Sequence, residues 1–120
     1  METTTRIGWA LLAGLHLMPA LPLFAPALVE RLYGVDPAGE AGVLLIHRGA
    51  LFFAVLVAAL MAIWSQEARR VASLVVALSM VGFLVVYARA GAPTGPLRKI
   101  AVADLLGLVP LAWVAWEAWR

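Results

Sequence analysis

Four apolar stretches divide this 120-residue chain, and each is close to the ~20 residues that a helix needs to cross the hydrocarbon of a bilayer. The first runs from Ile7 to about Val29 and the second from Leu44 to Trp64. The third runs from Val71 to Ala88 and the fourth from about Ile100 to Trp116. None alternates as a strand would, and backbone groups in hydrocarbon must pair within their own segment, so helices are the expected structure. Composition points the same way. The chain is 64% hydrophobic and 13% charged, whereas a soluble domain carries about a quarter charged residues.

Short connectors with turn chemistry separate the stretches: Tyr33 to Gly39, Ser65 to Glu67, and Gly91 to Pro96. Short links make consecutive helices adjacent and antiparallel. The expected fold is therefore an all-α integral membrane protein, a single domain over residues 1–120. It is an antiparallel four-helix transmembrane bundle, up-down-up-down, with both termini on one side. Arg6 ahead of an apolar run has the look of a secretion signal. Trp9, His16 and three prolines interrupt that run and further spans follow, so it reads as the first span. Pro19, Pro22 and Pro26 share one face of that span and predict a bend near Met18.

Small residues predict where helices approach closely: Ala50, Ala54, Ala58 and Ala62 on span two, Ala103 and Gly107 on span four, Ala10 and Gly14 on span one. All five tryptophans fall near the end that bears the termini, as an interfacial rim would require. Lys and Arg are nearly balanced between the ends. Arg6, Arg69, Arg70 and Arg120 lie at the terminal end, with Arg31, Arg48, Arg89, Arg98 and Lys99 at the other. If Arg48 and Arg89 point inward, the positive-inside rule makes the termini cytoplasmic.

The net charge of +2 is no nucleic-acid footprint, and the absence of cysteine excludes disulfides, iron–sulfur clusters and thiolate zinc sites. Neither a cofactor nor a metal centre is expected: no three-ligand set stands at helical spacing, and no phosphate-binding or dinucleotide motif occurs. Haem held by His16 and His47 would need them level, and their depths differ by roughly 10 Å.

Ionisable groups inside apolar spans are the functional candidates. His16 lies roughly 15 Å into span one, where the plain alternative is a hydrogen bond to a carbonyl freed by Pro19 or Pro22. Arg48 and Asp104 fall at similar depth and are candidates for an ion pair between spans two and four. Glu40, His47, Arg48, Tyr87, Arg89 and Asp104 could line one pocket, with Asp104, His47 and Glu40 as acid and base and Arg48, Tyr87, Arg89 and His16 binding a ligand. An apolar floor beneath would suit a quinone, isoprenoid or lipid. The competing expectations are an intramembrane isomerase, cyclase or hydratase, and a structural subunit of a larger membrane complex or homo-oligomer.

The segments Gly14 to Pro19 (GLHLMP), Leu32 to Gly34 (LYG), His47 to Phe52 (HRGALF) and Tyr87 to Pro93 (YARAGAP), together with Asp104, resemble the DoxX-like group of small four-span bacterial membrane proteins. The resemblance implies that fold and a bacterial inner-membrane location, and transfers no catalytic residue. Similar four-span proteins sometimes carry the label pantetheine-phosphate adenylyltransferase. No phosphate-binding loop here supports that activity.

Overall fold

A computed structural model describes residues 2–120. It is all-helical: α1 (Glu2–Ala20), running into a 3-10 turn (Leu21–Leu23), then α2 (Leu28–Tyr33), α3 (Glu40–Trp64), α4 (Arg69–Arg89) and α5 (Pro96–Trp119). By length and composition, four of these helical segments, among the described residues, are able to cross a membrane: Glu2–Leu23, α3, α4 and α5. At 1.5 Å per residue the 25 residues of α3 extend about 37 Å, against ~30 Å of hydrocarbon. Each long helix outruns its apolar stretch at one or both ends, because charged and small residues continue the backbone pairing beyond the hydrophobic run.

The break in the first span falls later than Met18. Pro19 is accommodated inside α1, which ends at Ala20, and Pro22 opens the 3-10 turn. A proline removes only the bond its own N–H would donate, so the helix survives one proline and yields where the second follows three residues on. The chain then turns into the short α2, which Gly34 ends in the left-handed conformation (φ 69°).

The long helices pack in the cyclic order α1, α3, α4, α5. Their shared core holds Trp9, Leu12, Leu56, Ala59, Val76, Met80, Leu111 and Val114. The small residues that permit close approach are only in part those the four-residue spacing predicts: Ala62 and Gly107 are among them. Ala54, Ala10 and Gly14 are exposed, whereas Gly8, Gly49, Ala59, Ala62 and Gly107 are buried. A four-residue step advances about 40° past a full turn, so a strict stripe winds away from any one neighbour. Gly49 is where α3 crosses the end of α1: a Cβ there would lie 3.0 Å from the Leu23 nitrogen and 3.5 Å from the carbonyl oxygens of Pro19 and Ala20.

Around this core the outward surface is apolar along the whole length, with Leu78 76%, Val109 74% and Leu44 69% exposed. Trp64, Trp116 and Trp119 are exposed near the ends, as a rim requires. Trp9 is not part of that rim. It is fully buried in the core.

The chain's two ends meet at the first turn of α4. Arg69, almost wholly buried, donates from Nε to the Ala62 carbonyl (2.8 Å) and from Nη2 to the Ile63 carbonyl (3.1 Å). It also grips the Glu2 carboxylate with both terminal nitrogens. Its neighbour Arg70 donates to the Ala118 carbonyl (3.0 Å), while the Trp119 indole N–H donates to Ser73 Oγ (2.8 Å). Arg69 thus satisfies carbonyls that the end of α3 leaves without helical partners. The premise that would make this end cytoplasmic fails in part. Arg48 turns inward, but Arg89 is exposed and Arg69 is buried. Exposed cations become Arg6, Arg70 and Arg120 here against Arg31, Arg89, Arg98 and Lys99 opposite, which removes the excess on which the rule depends.

Candidate functional site

At the end away from the termini, α1 and α5 diverge around a pocket of about 630 Å³. Leu15, Met18 and Pro19 supply its α1 wall, three residues that helical spacing puts on one face. Lys99, Ile100, Ala103 and Asp104 supply the α5 wall, Arg31, Leu32 and Tyr33 of α2 form one lip, and Thr94, Gly95 and Pro96 form the other. The volume lies inside the ~300–1,000 Å³ typical of small-molecule sites, and an apolar body with a few converging polar groups is their usual composition.

Behind Tyr33 stands Arg48. Its guanidinium carbon lies 4.6 Å from the Phe52 ring centre, 5.4 Å from Phe83 and 5.9 Å from Tyr33. Nη1 donates to the Tyr33 hydroxyl (3.3 Å), while Nη2 is buried without a hydrogen-bond partner. Three ring faces around one desolvated cation supply part of the stabilisation that water would have given, at about 2 kcal/mol for a favourable contact. Because the Tyr33 oxygen accepts from Arg48, its own proton is free to point elsewhere, and the arginine polarises it as a donor. Tyr33 therefore presents the effect of a cation to the pocket without the cation itself lining it.

The expected ion pair between Arg48 and Asp104 is absent. Arg48 acts on Asp104 electrostatically, yet no bond joins them, and Asp104 makes no hydrogen bond or ion pair among the described residues. The guanidinium is held on α3 by its aromatic neighbours, and the half-buried carboxyl faces the pocket instead.

His16 lies in the core, 2% exposed, and does not line the pocket. Its Nδ1 is 2.8 Å from the Leu12 carbonyl, and its Nε2 is 3.2 Å from Ser79 Oγ. A carbonyl only accepts, so Nδ1 carries a proton, and the neutral ring accepts at Nε2 from the Ser79 hydroxyl. The carbonyl used is one that α1 already pairs, one turn back, and not one released by Pro19 or Pro22. Ser79 and Arg48 also line a second, apolar groove of about 480 Å³ between α3 and α4.

The remaining candidates are scattered. Glu40, His47 and Arg89 are exposed and line neither pocket. Tyr87 donates to the Pro93 carbonyl (2.6 Å) and stacks on Phe83 at 6.0 Å, which braces the α4–α5 connector. Of the seven residues proposed from sequence, Asp104 lines the pocket and Arg48 stands one side chain behind it. Tyr33, Arg31 and Lys99 enter from outside that set. The signal for Tyr33 was its place in the Leu32–Gly34 motif, next to the glycine that ends α2.

No protein-family model, curated protein or solved structure matches this chain.

Proposed function

We propose that this chain is a small multi-pass membrane protein whose four long helices cross the bilayer as an antiparallel bundle and hold a lipophilic ligand between α1 and α5. The observation that carries the reading is the joining, in one pocket, of an apolar wall (Leu15, Met18, Pro19, Ile100) to a polar end (Tyr33, Asp104) that has unused hydrogen-bonding capacity. The exposed apolar surface around all four helices supports lipid as the surrounding solvent, since contiguous patches of this kind are rare on water-soluble monomers.

The motifs that carry the DoxX-like resemblance give further support, because two of the four, together with Asp104, meet here. Gly14 to Pro19 contributes Leu15, Met18 and Pro19; Leu32 to Gly34 contributes Leu32 and Tyr33; and Asp104 is the acid. In this reading the hydrocarbon body of the ligand lies along α1 while Tyr33 donates to, and Asp104 accepts from, its polar end.

The test is the lipid extract of the purified protein, compared by mass spectrometry between wild type and Ala103→Trp, whose indole would fill the space between α1 and α5. A species enriched over bulk membrane lipid in wild type should be lost from Ala103→Trp. Identical extracts from the two proteins, with both monodisperse in detergent, would remove the pocket as the binding site.

A further inference from the structure

The mouth of the α1–α5 pocket is more specific in charge than a generic apolar site. Arg31 and Lys99 are both exposed and line its mouth, Arg31 on the α2 lip and Lys99 in the first turn of α5, at the outer end of that wall. Neither has an ion-pair partner among the described residues. Pro96 opens α5 at the other lip with no side chain capping the helix, so the positive end of a 24-residue helix dipole adds to the two cations. Asp104 is five residues beyond Lys99 along α5, about 7.5 Å deeper. Along α5 the order inward is thus positive charge, a carboxyl acceptor and then hydrocarbon, while the Tyr33 hydroxyl donor stands on the α2 lip beside Arg31.

Resting on the lipophilic-ligand reading above, we propose that the ligand is a single-chain anionic lipid of the monoacylglycerol phosphate class. Its phosphate meets Arg31 and Lys99, its glycerol hydroxyl donates to Asp104, its ester carbonyl accepts from Tyr33, and its acyl chain follows Met18 and Leu15. Phosphate, hydroxyl and chain follow one another in such a lipid as the cations, Asp104 and the apolar wall do in the pocket. A cavity of about 630 Å³ is of drug-like size, which a single-chain lipid approaches more closely than a two-chain phospholipid.

Native mass spectrometry of the detergent-solubilised full chain tests this with three probes: 1-oleoyl lysophosphatidic acid, 1-monoolein and dioleoyl phosphatidic acid. The lysophosphatidate should bind roughly 20-fold more tightly than monoolein, several-fold for each cation, and more tightly than the two-chain lipid. Excess inorganic phosphate should not displace it, because the chain holds the headgroup in place. The Arg31→Ala/Lys99→Ala double variant, altered only at exposed positions, should lose the preference while keeping the affinity for monoolein. Equal binding of lysophosphatidate and monoolein to wild type, or a preference that survives in the double variant, overturns the anionic assignment and leaves the pocket standing. Preference for the two-chain lipid overturns the single-chain assignment. If neither single-chain lipid distinguishes wild type from Ala103→Trp, the pocket reading falls as well.

Discussion

Replacing Arg69 with alanine separates what the arginine does for helix ends from what it does as an ion. In the folded chain its side chain is 7% exposed. It makes two bonds to carbonyls at the end of α3, those of Ala62 and Ile63, and a fork onto Glu2. A hydrogen bond from a charged donor contributes about 1.5–3 kcal/mol. Both carbonyls lose their partner at once, but they belong to a helix terminus, where water recovers part of the loss. Arg69→Ala should therefore destabilise by about 2–4 kcal/mol. Lysine has one ammonium in place of a planar fork and cannot span two carbonyls and a carboxylate together, so Arg69→Lys should restore at most half. Glu2 is 44% exposed, and exposed pairs contribute little, so Glu2→Gln should cost far less than Arg69→Ala. Reversible unfolding in mixed micelles, followed by tryptophan fluorescence, gives the three values. Arg69→Ala within about 0.5 kcal/mol of wild type, or Glu2→Gln as damaging as Arg69→Ala, would show that carbonyl capping is not what the arginine supplies.

Gly42→Ala should destabilise by at least about 1–3 kcal/mol in the same assay, because its Cβ would fall 2.6 Å from the Pro37 Cα and closer still to the Asp36 carbonyl oxygen, both backbone atoms that cannot rotate aside. Gly14→Ala should stabilise by about 0.5–1 kcal/mol, the helix-interior gain of alanine over glycine, since nothing lies within 4 Å of the new methyl; a loss there would place a neighbour against that face. Ser79→Ala should cost about 1–2 kcal/mol by leaving His16 Nε2 unpartnered in the core, and Ser79→Thr, which keeps the hydroxyl, should cost less. If Ser79→Ala is neutral, the bond joining α1 to α4 contributes nothing.

The positions of the long helices were legible because the requirement is one-dimensional. Some twenty apolar residues bounded by turn residues must be helical wherever they cross hydrocarbon, and the observed helices contain stretches two to four and most of the first. The proline break in the first span was legible in kind and displaced by a few residues, since the backbone tolerates Pro19 as long as the bonds around it hold. The candidate site was legible only in part. His47 and Arg48 are adjacent in sequence and have equal claims as charged residues in the first turns of a span. The fold leaves His47 exposed and encloses Arg48 among Tyr33, Phe52 and Phe83. Arg69 and Arg70 divide in the same way at the opposite end.

The physical reason is rotation. Each residue turns the helix by about 100°, so hydropathy alone, equal on nearly every side of these helices, does not say which face meets a neighbour. Apolarity and turn spacing set how many long helices there are and where along the chain they run. The angle of each helix about its own axis was decided by side-chain packing across long sequence separations: Gly49 against the end of α1, Met80 against Gly107, His16 against Ser79. That angle puts Asp104 and Tyr33 in one pocket and sends Glu40, His47 and Arg89 out of it.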